Sequence, residues 1–368
     1  MKENSLIMKK IVFIQLVSLI LILSISCKDK HTASGTYNII NIPAPSLRNN
    51  LVGTDTIQQI GVYLPPSYHN SHKSYPVVYF LLGHATKVRE NNPGIFQIME
   101  HETIQEMIYV EISGYNLYKG SMYANSPVIG NWEDYVTKDV ISFVDKNFRT
   151  IPNNASRALV GHSMGGLGAF NISLKHPDEF SCIQLMSPAI SSGDDIINWI
   201  FSNDSAIISL EKLSKAIASV HGGNYAERVT RSMNEVGDLW LMIGSGVAFA
   251  PDSTQPLRMN LPFNYNDDGT FEKNSYVWDL WRNGFGKLAE KVKKYKENLM
   301  RYTYYEVDVG YNDQLGFNVK AVKKLSSYMS EEDIPHSVHL YNGDHYNKMD
   351  ENLEYRIIPQ ISIYLKGE

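Results

Sequence analysis

Ser163 stands at the centre of Gly161-His162-Ser163-Met164-Gly165, after the apolar run Ala158-Leu159-Val160 and before the small-residue stretch Gly166-Leu167-Gly168-Ala169-Phe170. A serine on a sharp strand-to-helix turn needs a small residue two positions to either side, because the tight backbone draws those α-carbons against neighbouring elements. Such a turn lifts the hydroxyl clear of a sheet. It also sets the backbone N–H of Met164 at a helix start, where an unpaired donor and the helix dipole favour a developing oxyanion. A GxSxG alone is equally compatible with a structural turn, so the reading depends on partners. A serine hydroxyl is too weakly acidic to attack an ester unaided and needs a histidine base, with a carboxylate to fix the imidazole tautomer.

For a nucleophile of this kind the order along the chain is serine, acid, histidine. His345, in Tyr341-Asn342-Gly343-Asp344-His345-Tyr346, follows a strand-like run and precedes the last helix, where a loop over a sheet edge belongs. Among its rivals, His339 alternates with apolar neighbours and His336 precedes the same strand. His162 adjoins the nucleophile on an elbow that makes neighbouring side chains diverge, and His176 lies near a helix end in a capping position. For the acid, Asp313 follows a strand end in Asp308-Val309-Gly310-Tyr311-Asn312-Asp313. Asp308 alternates within the strand and reads as structural, while Asp344 caps its own turn. The pattern assigns Ser163, Asp313 and His345 to a catalytic triad, with Met164 in the oxyanion hole.

The elements that must position these groups alternate along the chain. Strand-like runs cover Ile57 to Leu64, Pro76 to Leu82, Glu106 to Ile112, Arg157 to Val160, Ser181 to Met186, Thr303 to Val309 and Ser337 to Tyr341. Helix-like runs cover Glu133 to Phe148, with Val136, Val140, Val144 and Phe148 four residues apart, then Met164 to Lys175, Phe317 to Met329 and Leu353 to Leu365. This predicts an α/β fold with a mostly parallel central sheet and helices on both faces. The stretch from about residue 191 to 299 breaks the rhythm and reads either as an insertion over the strand ends, a lid, or as crossover helices with a long loop.

With 368 residues and 43% hydrophobic composition the chain can bury a large core, and a net charge of −5 without a basic block gives no reading of nucleic-acid binding. Neither cysteines nor histidines cluster at metal-ligand spacing, so no metal or cofactor is expected. Lys9-Lys10, the apolar run Ile11 to Leu23 and Ser24-Ile25-Ser26-Cys27 read as a secretory leader over residues 1–26. Small residues before a cysteine resemble a bacterial lipoprotein signal, which implies a lipidated Cys27, a tether over 27–45, a domain over 46–368, and an envelope location through a membrane-inserted lipid anchor. An ordinary cleaved signal or a membrane anchor is the alternative. The other cysteine, Cys182, sits in an apolar run and reads as a small buried hydrophobe.

Gly120-Ser121-Met122-Tyr123-Ala124-Asn125-Ser126, Asn131-Trp132-Glu133-Asp134-Tyr135, Gly161 to Gly166 and His176-Pro177-Asp178 resemble the esterase family of α/β-hydrolases. That family includes esterase D (S-formylglutathione hydrolase), feruloyl and acetylxylan esterases, and mycolyltransferases. The likeness extends from about Thr56 to the C-terminus and is weakest through the insertion. It implies a serine esterase acting on small-molecule or carbohydrate esters through an acyl-enzyme, with Asn125, Ser126 and Trp132 lining the acyl or alcohol pocket. Packing ahead of the Glu133 helix is the other reading of Trp132. Where the family usually has Leu-Leu-His-Gly, this chain has Leu81-Leu82-Gly83-His84-Ala85-Thr86, so the second oxyanion donor is the N–H of Ala85 or of a neighbour. Acyl transfer by the same triad, and a non-catalytic glycan-binding envelope lipoprotein, are the alternative functions.

Overall fold

Eight strands build the central sheet: β1 (Thr36–Pro43), β2 (Ile57–Leu64), β3 (Val77–Leu81), β4 (Ile108–Ile112), β5 (Arg157–His162), β6 (Cys182–Met186), β7 (Tyr304–Gly310) and β8 (Ser337–Tyr341). Their spatial order is β1-β2-β4-β3-β5-β6-β7-β8, with β2 antiparallel to both its neighbours and every pairing from β4 to β8 parallel. The computed structural model describes residues 34–88, 96–100, 104–219, 222–236 and 239–368, of which Gly35–Glu368 form one unit. The leader and Cys27 lie outside the described residues, and no described helix is long and apolar enough to cross a membrane.

The inner strands are apolar at nearly every position because both faces are covered. Val77, Tyr79 and Leu81 of β3 join the larger core, while Val78 and Phe80 join a smaller one on the opposite face with Ala158, Val160 and Cys182. Cys182 is a buried, unpaired thiol. Within residues 27–45, expected as a tether, Thr36–Pro43 is instead the edge strand of the sheet, paired along its whole length with β2. Ile42 is fully buried, and the Tyr37 hydroxyl donates to Glu111 Oε2 at 2.7 Å. Those anchors give a polar-looking segment its ordered place.

The helix expected from Glu133 to Phe148 begins at Trp132, runs through a π-helical stretch, Tyr135–Val140, and ends as α1 (Ile141–Asn147). A strict four-residue spacing drifts roughly 40° per step around an α-helix. The wider π turn takes up that drift and keeps Val136, Val140 and Val144 on the buried face.

The helix after β5 is α2 (Met164–Ser173), and residues 191–299 form a largely helical insertion between β6 and β7. It contains α3 (Asp195–Ile200), α4 (Asp204–Ser219), α5 (Tyr225–Val236), α6 (Trp240–Phe249), α7 (Ser275–Phe285) and α8 (Leu288–Lys294), with a small hairpin, Phe263–Tyr265 against Phe271–Lys273. Phe201, Phe263, Trp278, Trp281 and Phe285 form a chain of ring contacts inside it. Beyond β7 come α9 (Asn318–Glu331), β8 and a last helical segment ending in α10 (Ile358–Tyr364).

Candidate active site

The nucleophile elbow lies between β5 and the helix Met164–Ser173. Ser163 has φ 57° and ψ −115°, a strained conformation for a residue with a side chain. Three backbone bonds hold it there: its N–H donates to Met186 O, and its carbonyl accepts from Leu167 and Ala189 N–H, each at 3.0 Å. The flanking glycines are required by contact. A Cβ on Gly161 would lie 2.1 Å from Gly165 O, and one on Gly165 would lie 1.9 Å from Leu81 O.

The three candidates read from the sequence come together. His345 Nδ1 is 2.7 Å from Asp313 Oδ2, and His345 Nε2 is 2.9 Å from Ser163 Oγ. With a carboxylate at Nδ1, that nitrogen carries the proton, which leaves Nε2 to accept from the serine hydroxyl. Burial opposes the charge on Asp313. The His345 ring, Leu315 N–H at 2.9 Å on Oδ1 and the Asn318 amide at 3.0 Å on Oδ2 outweigh it and hold the carboxyl below its ordinary range.

The acid and base loops are stitched to each other. Asn312 N–H donates to Gly343 O at 3.0 Å, Tyr311 N–H to Tyr341 O at 2.9 Å, and His345 N–H to the Gln314 side chain at 3.0 Å. His162 secures the histidine from the other side, its Nε2–H donating to His345 O at 2.8 Å. Burial first, then repulsion from His345, push His162 down to about 4, so it is neutral at ordinary pH and keeps this donor role. Sequence reasoning discarded His162 as a base and missed this anchoring task. Gln314 and Asn318 were missed as well, and no motif marks them.

The rival groups have other partners. His336 bonds Ser326 and the carbonyl of Ile334, and His176 bonds Glu133 at 2.9 Å. Asp308 is buried with Gln184 and Arg356, and Asp344 accepts from Tyr346 and Asn347 N–H, capping its own turn.

Around the serine lies a cavity of about 320 Å³. Its floor holds Ser163, His162 and His345. Its walls are apolar: Ile196, Trp199 and Ile200 from α3, Leu241 from α6, Phe285 from α7, and Leu315 with Phe317 from the acid loop. The insertion therefore sits over the strand ends and supplies most of the apolar wall. No cluster of potential metal ligands occurs among the described residues.

Four expected contacts are corrected. Ser126 is buried and its hydroxyl donates to Val247 O at 2.6 Å, while the indole N–H of the fully buried Trp132 donates to Ile129 O at 3.0 Å. The side-chain oxygen of Asn125 accepts from Glu133 and Asp134 N–H, capping the helix there. None of the three lines the serine cavity: Asn125 and Trp132 close the loop before that helix, and Ser126 ties the loop to α6. Ala85 does line the cavity, but its N–H donates to Lys119 O at 2.8 Å and is not available to an oxyanion. Its left-handed φ of 60° turns the peptide away. Met164 N–H, the first of its helix, has no backbone acceptor among the described residues.

Comparison with known proteins follows this geometry. Residues 54–273 match the model of the family described as "Putative esterase". Two Mycobacterium tuberculosis proteins, Esterase Rv1288 and Esterase MT1326, are each 27% identical over 171 residues, covering 45% of this chain and 34% of theirs. The chain thus matches about a third of the length of those curated relatives. In fold it is similar to a ferulic acid esterase, with a TM-score of 0.57 and 17% identity over 90% of this chain and 99% of that one. It is also similar to an S-formylglutathione hydrolase from Agrobacterium tumefaciens, with a TM-score of 0.53 and 15% identity over 91% and 97%. The fluorophosphonate-binding serine hydrolase FphF of Staphylococcus aureus gives 0.50 and 15% over 90% and 98%. The matched segment spans more than half of the chain and contains the Ser163 elbow, and this chain belongs to the esterase family of α/β-hydrolases.

Proposed function

We propose that the chain hydrolyses carboxylic esters through an acyl-enzyme on Ser163. The observation that carries this reading is the unbroken line of hydrogen bonds from Asp313 through His345 to Ser163 at the floor of an apolar cavity. As Ser163 Oγ attacks the ester carbonyl, its proton passes to His345 Nε2, and Asp313 stabilises the imidazolium that forms. The carbonyl oxygen becomes an oxyanion facing Met164 N–H at the helix start. With the Ala85 N–H engaged, the Gly83–His84 backbone is the neighbouring segment to supply a second donor, since a Cβ on Gly83 would lie 3.6 Å from Ser163 Cβ. His345 then returns the proton to the departing alcohol. In the second half His345 takes a proton from water as the water oxygen attacks the acyl carbon, then returns that proton to Ser163 Oγ as the Oγ–acyl bond breaks and the acid leaves.

Trp199, Phe285, Phe317 and Leu241 favour an apolar or aromatic acyl group over a charged one. The ferulic acid esterase neighbour supports esters of aromatic acids as the first substrate class to test. The decisive experiment combines p-nitrophenyl ester hydrolysis with covalent labelling by a fluorophosphonate. Ser163→Ala and His345→Ala should each lower kcat by about a thousandfold or more, with the double variant scarcely worse, because the two act as one unit. Labelling should map to Ser163. Undiminished hydrolysis by Ser163→Ala would sink the proposal.

A further inference from the structure

Met122 lines the serine cavity and also a second cavity of about 430 Å³. The second cavity contains neither Ser163 nor His345, and its walls are polar where the first cavity's are apolar. Lys175, just past the helix that follows the elbow, faces it together with Lys287, Lys291 and Lys294, against Glu133 and Glu290. Residues 287, 291 and 294 recur at the spacing of one helix face, where like charges repel.

Two of these lysines have carboxylate partners. Lys175 pairs with Glu133, which also binds His176, and Lys287 pairs with Asp279 at 2.8 Å. Lys291 and Lys294 have no ion-pair partner among the described residues. The half-buried Lys291 Nζ donates to Asn171 Oδ1 at 2.8 Å and lies 5.7 Å from the centre of the Phe170 ring. Lys294 Nζ lies 5.0 Å from the ring of Tyr295. At Lys291 a neutral amide and one aromatic face replace only part of the hydration that its ammonium loses on burial, and such a cation ordinarily carries an anion with it.

We propose that this cavity is a binding site for a small oxyanion, a carboxylate or a phosphate-type group, held by Lys291 and Lys294 with the Asn283 amide in the same wall. The charge state of Lys291 agrees with the geometry. Burial first, then repulsion from Lys175 and Lys287, push its amine down to about 7. The charged and titratable groups lining the cavity around it are Lys175, Glu133, Lys287, Glu290, Lys294, Tyr123 and Tyr295. An anion offsets the lysine repulsion, so the complex holds Lys291 protonated where the free protein only partly does. Binding therefore takes up a proton, and affinity weakens as pH rises from 6 to 9.

The test is calorimetric titration of the full chain with sodium sulfate, which stands in for a phosphate-type group without titrating in this range, and with sodium galacturonate. Galactose is the neutral control, and chloride holds the ionic strength constant. The expected result is saturable binding of at least one oxyanion, none of galactose, and a loss of about tenfold in affinity across that pH range, the scale of one charge-assisted hydrogen bond. Sulfate binding without galacturonate binding assigns a phosphate-type ligand; the reverse assigns a carboxylate. Lys291→Met should weaken binding about tenfold while ester hydrolysis persists. Lys294→Gln, at an exposed position, should act in the same direction and serves if the first variant does not fold. Absence of saturable binding by either oxyanion, or binding unchanged in the variants, overturns the proposal.

Discussion

Asp313 is the residue on which the site's chemistry is most finely balanced. Its Oδ2 faces both His345 Nδ1 at 2.7 Å and the Asn318 amide at 3.0 Å, and an amide in its place could present a donor to the imidazole. Asp313→Asn should therefore leave the fold intact but favour the tautomer with the proton on Nε2, where it cannot accept from Ser163. The expected fall in kcat is roughly a hundredfold to ten-thousandfold, with the thermal midpoint nearly unchanged. Full activity in that variant would move the acid role elsewhere. All three groups in this line were legible from the sequence, because their order and their places after apparent strands follow from what a serine nucleophile requires. The supporting residues were not legible. Gln314, Asn318 and His162 act through amide and backbone bonds that any loop could make, so their types and spacing carry no signal. Asn125, Ser126 and Trp132 misled for the converse reason: polar and aromatic residues that look available to a ligand close or tie down their own loop instead.

The elbow is the element through which sheet and site are joined. Its strain at Ser163 is tolerated because β5, β6 and the following helix hold the turn from three sides. Gly165→Ala tests this directly. The added methyl would lie 1.9 Å from Leu81 O, a backbone atom in a central strand that cannot move without breaking the β3 pairings with β4 and β5. The variant should lose about 3 kcal/mol or more of stability, read from urea midpoints, together with fluorophosphonate labelling. Gly193→Ala, with nothing within 4 Å of the new Cβ, is the matched control and should unfold near the parent midpoint. The inner strands were readable in advance because burial on both faces leaves nearly continuous apolar runs, whereas β8, with no fully buried residue, was readable from the alternation Val338-His339-Leu340. β1 was not. Its run Tyr37-Asn38-Ile39-Ile40-Asn41-Ile42 does not alternate, because Ile39 and Ile40 are adjacent, and only Ile42 is fully buried, so it lacks both the two-residue period of a half-buried strand and the apolar run of an inner one. The π stretch Tyr135–Val140 left a trace in the strict four-residue spacing, although that spacing reads first as an ordinary helix.

On the scale of the whole molecule, the sheet supplies the reacting groups and the insertion supplies the space they act in. Trp199 sits at the junction, 44% exposed and packed edge-on against Phe317 of the acid loop at 6.1 Å. No motif announces such a wall. Ile196, Trp199, Leu241 and Phe285 come from three helices of the insertion, and they converge only once the chain is folded. If this wall selects the acyl group, Trp199→Ala should act on selectivity more than on chemistry. Removing the indole takes apolar contact from a long or aromatic acyl chain but almost none from an acetyl group, which reaches no farther than the serine. The ratio of kcat/KM for p-nitrophenyl octanoate over p-nitrophenyl acetate should then fall roughly tenfold, the scale of one to two kcal/mol of lost apolar burial. Most of that change should appear in KM, because the interaction is equally present in ground state and transition state. An equal loss on both esters would place Trp199 in the architecture of the insertion instead, and a rise in the ratio would mean that the indole obstructs long acyl chains.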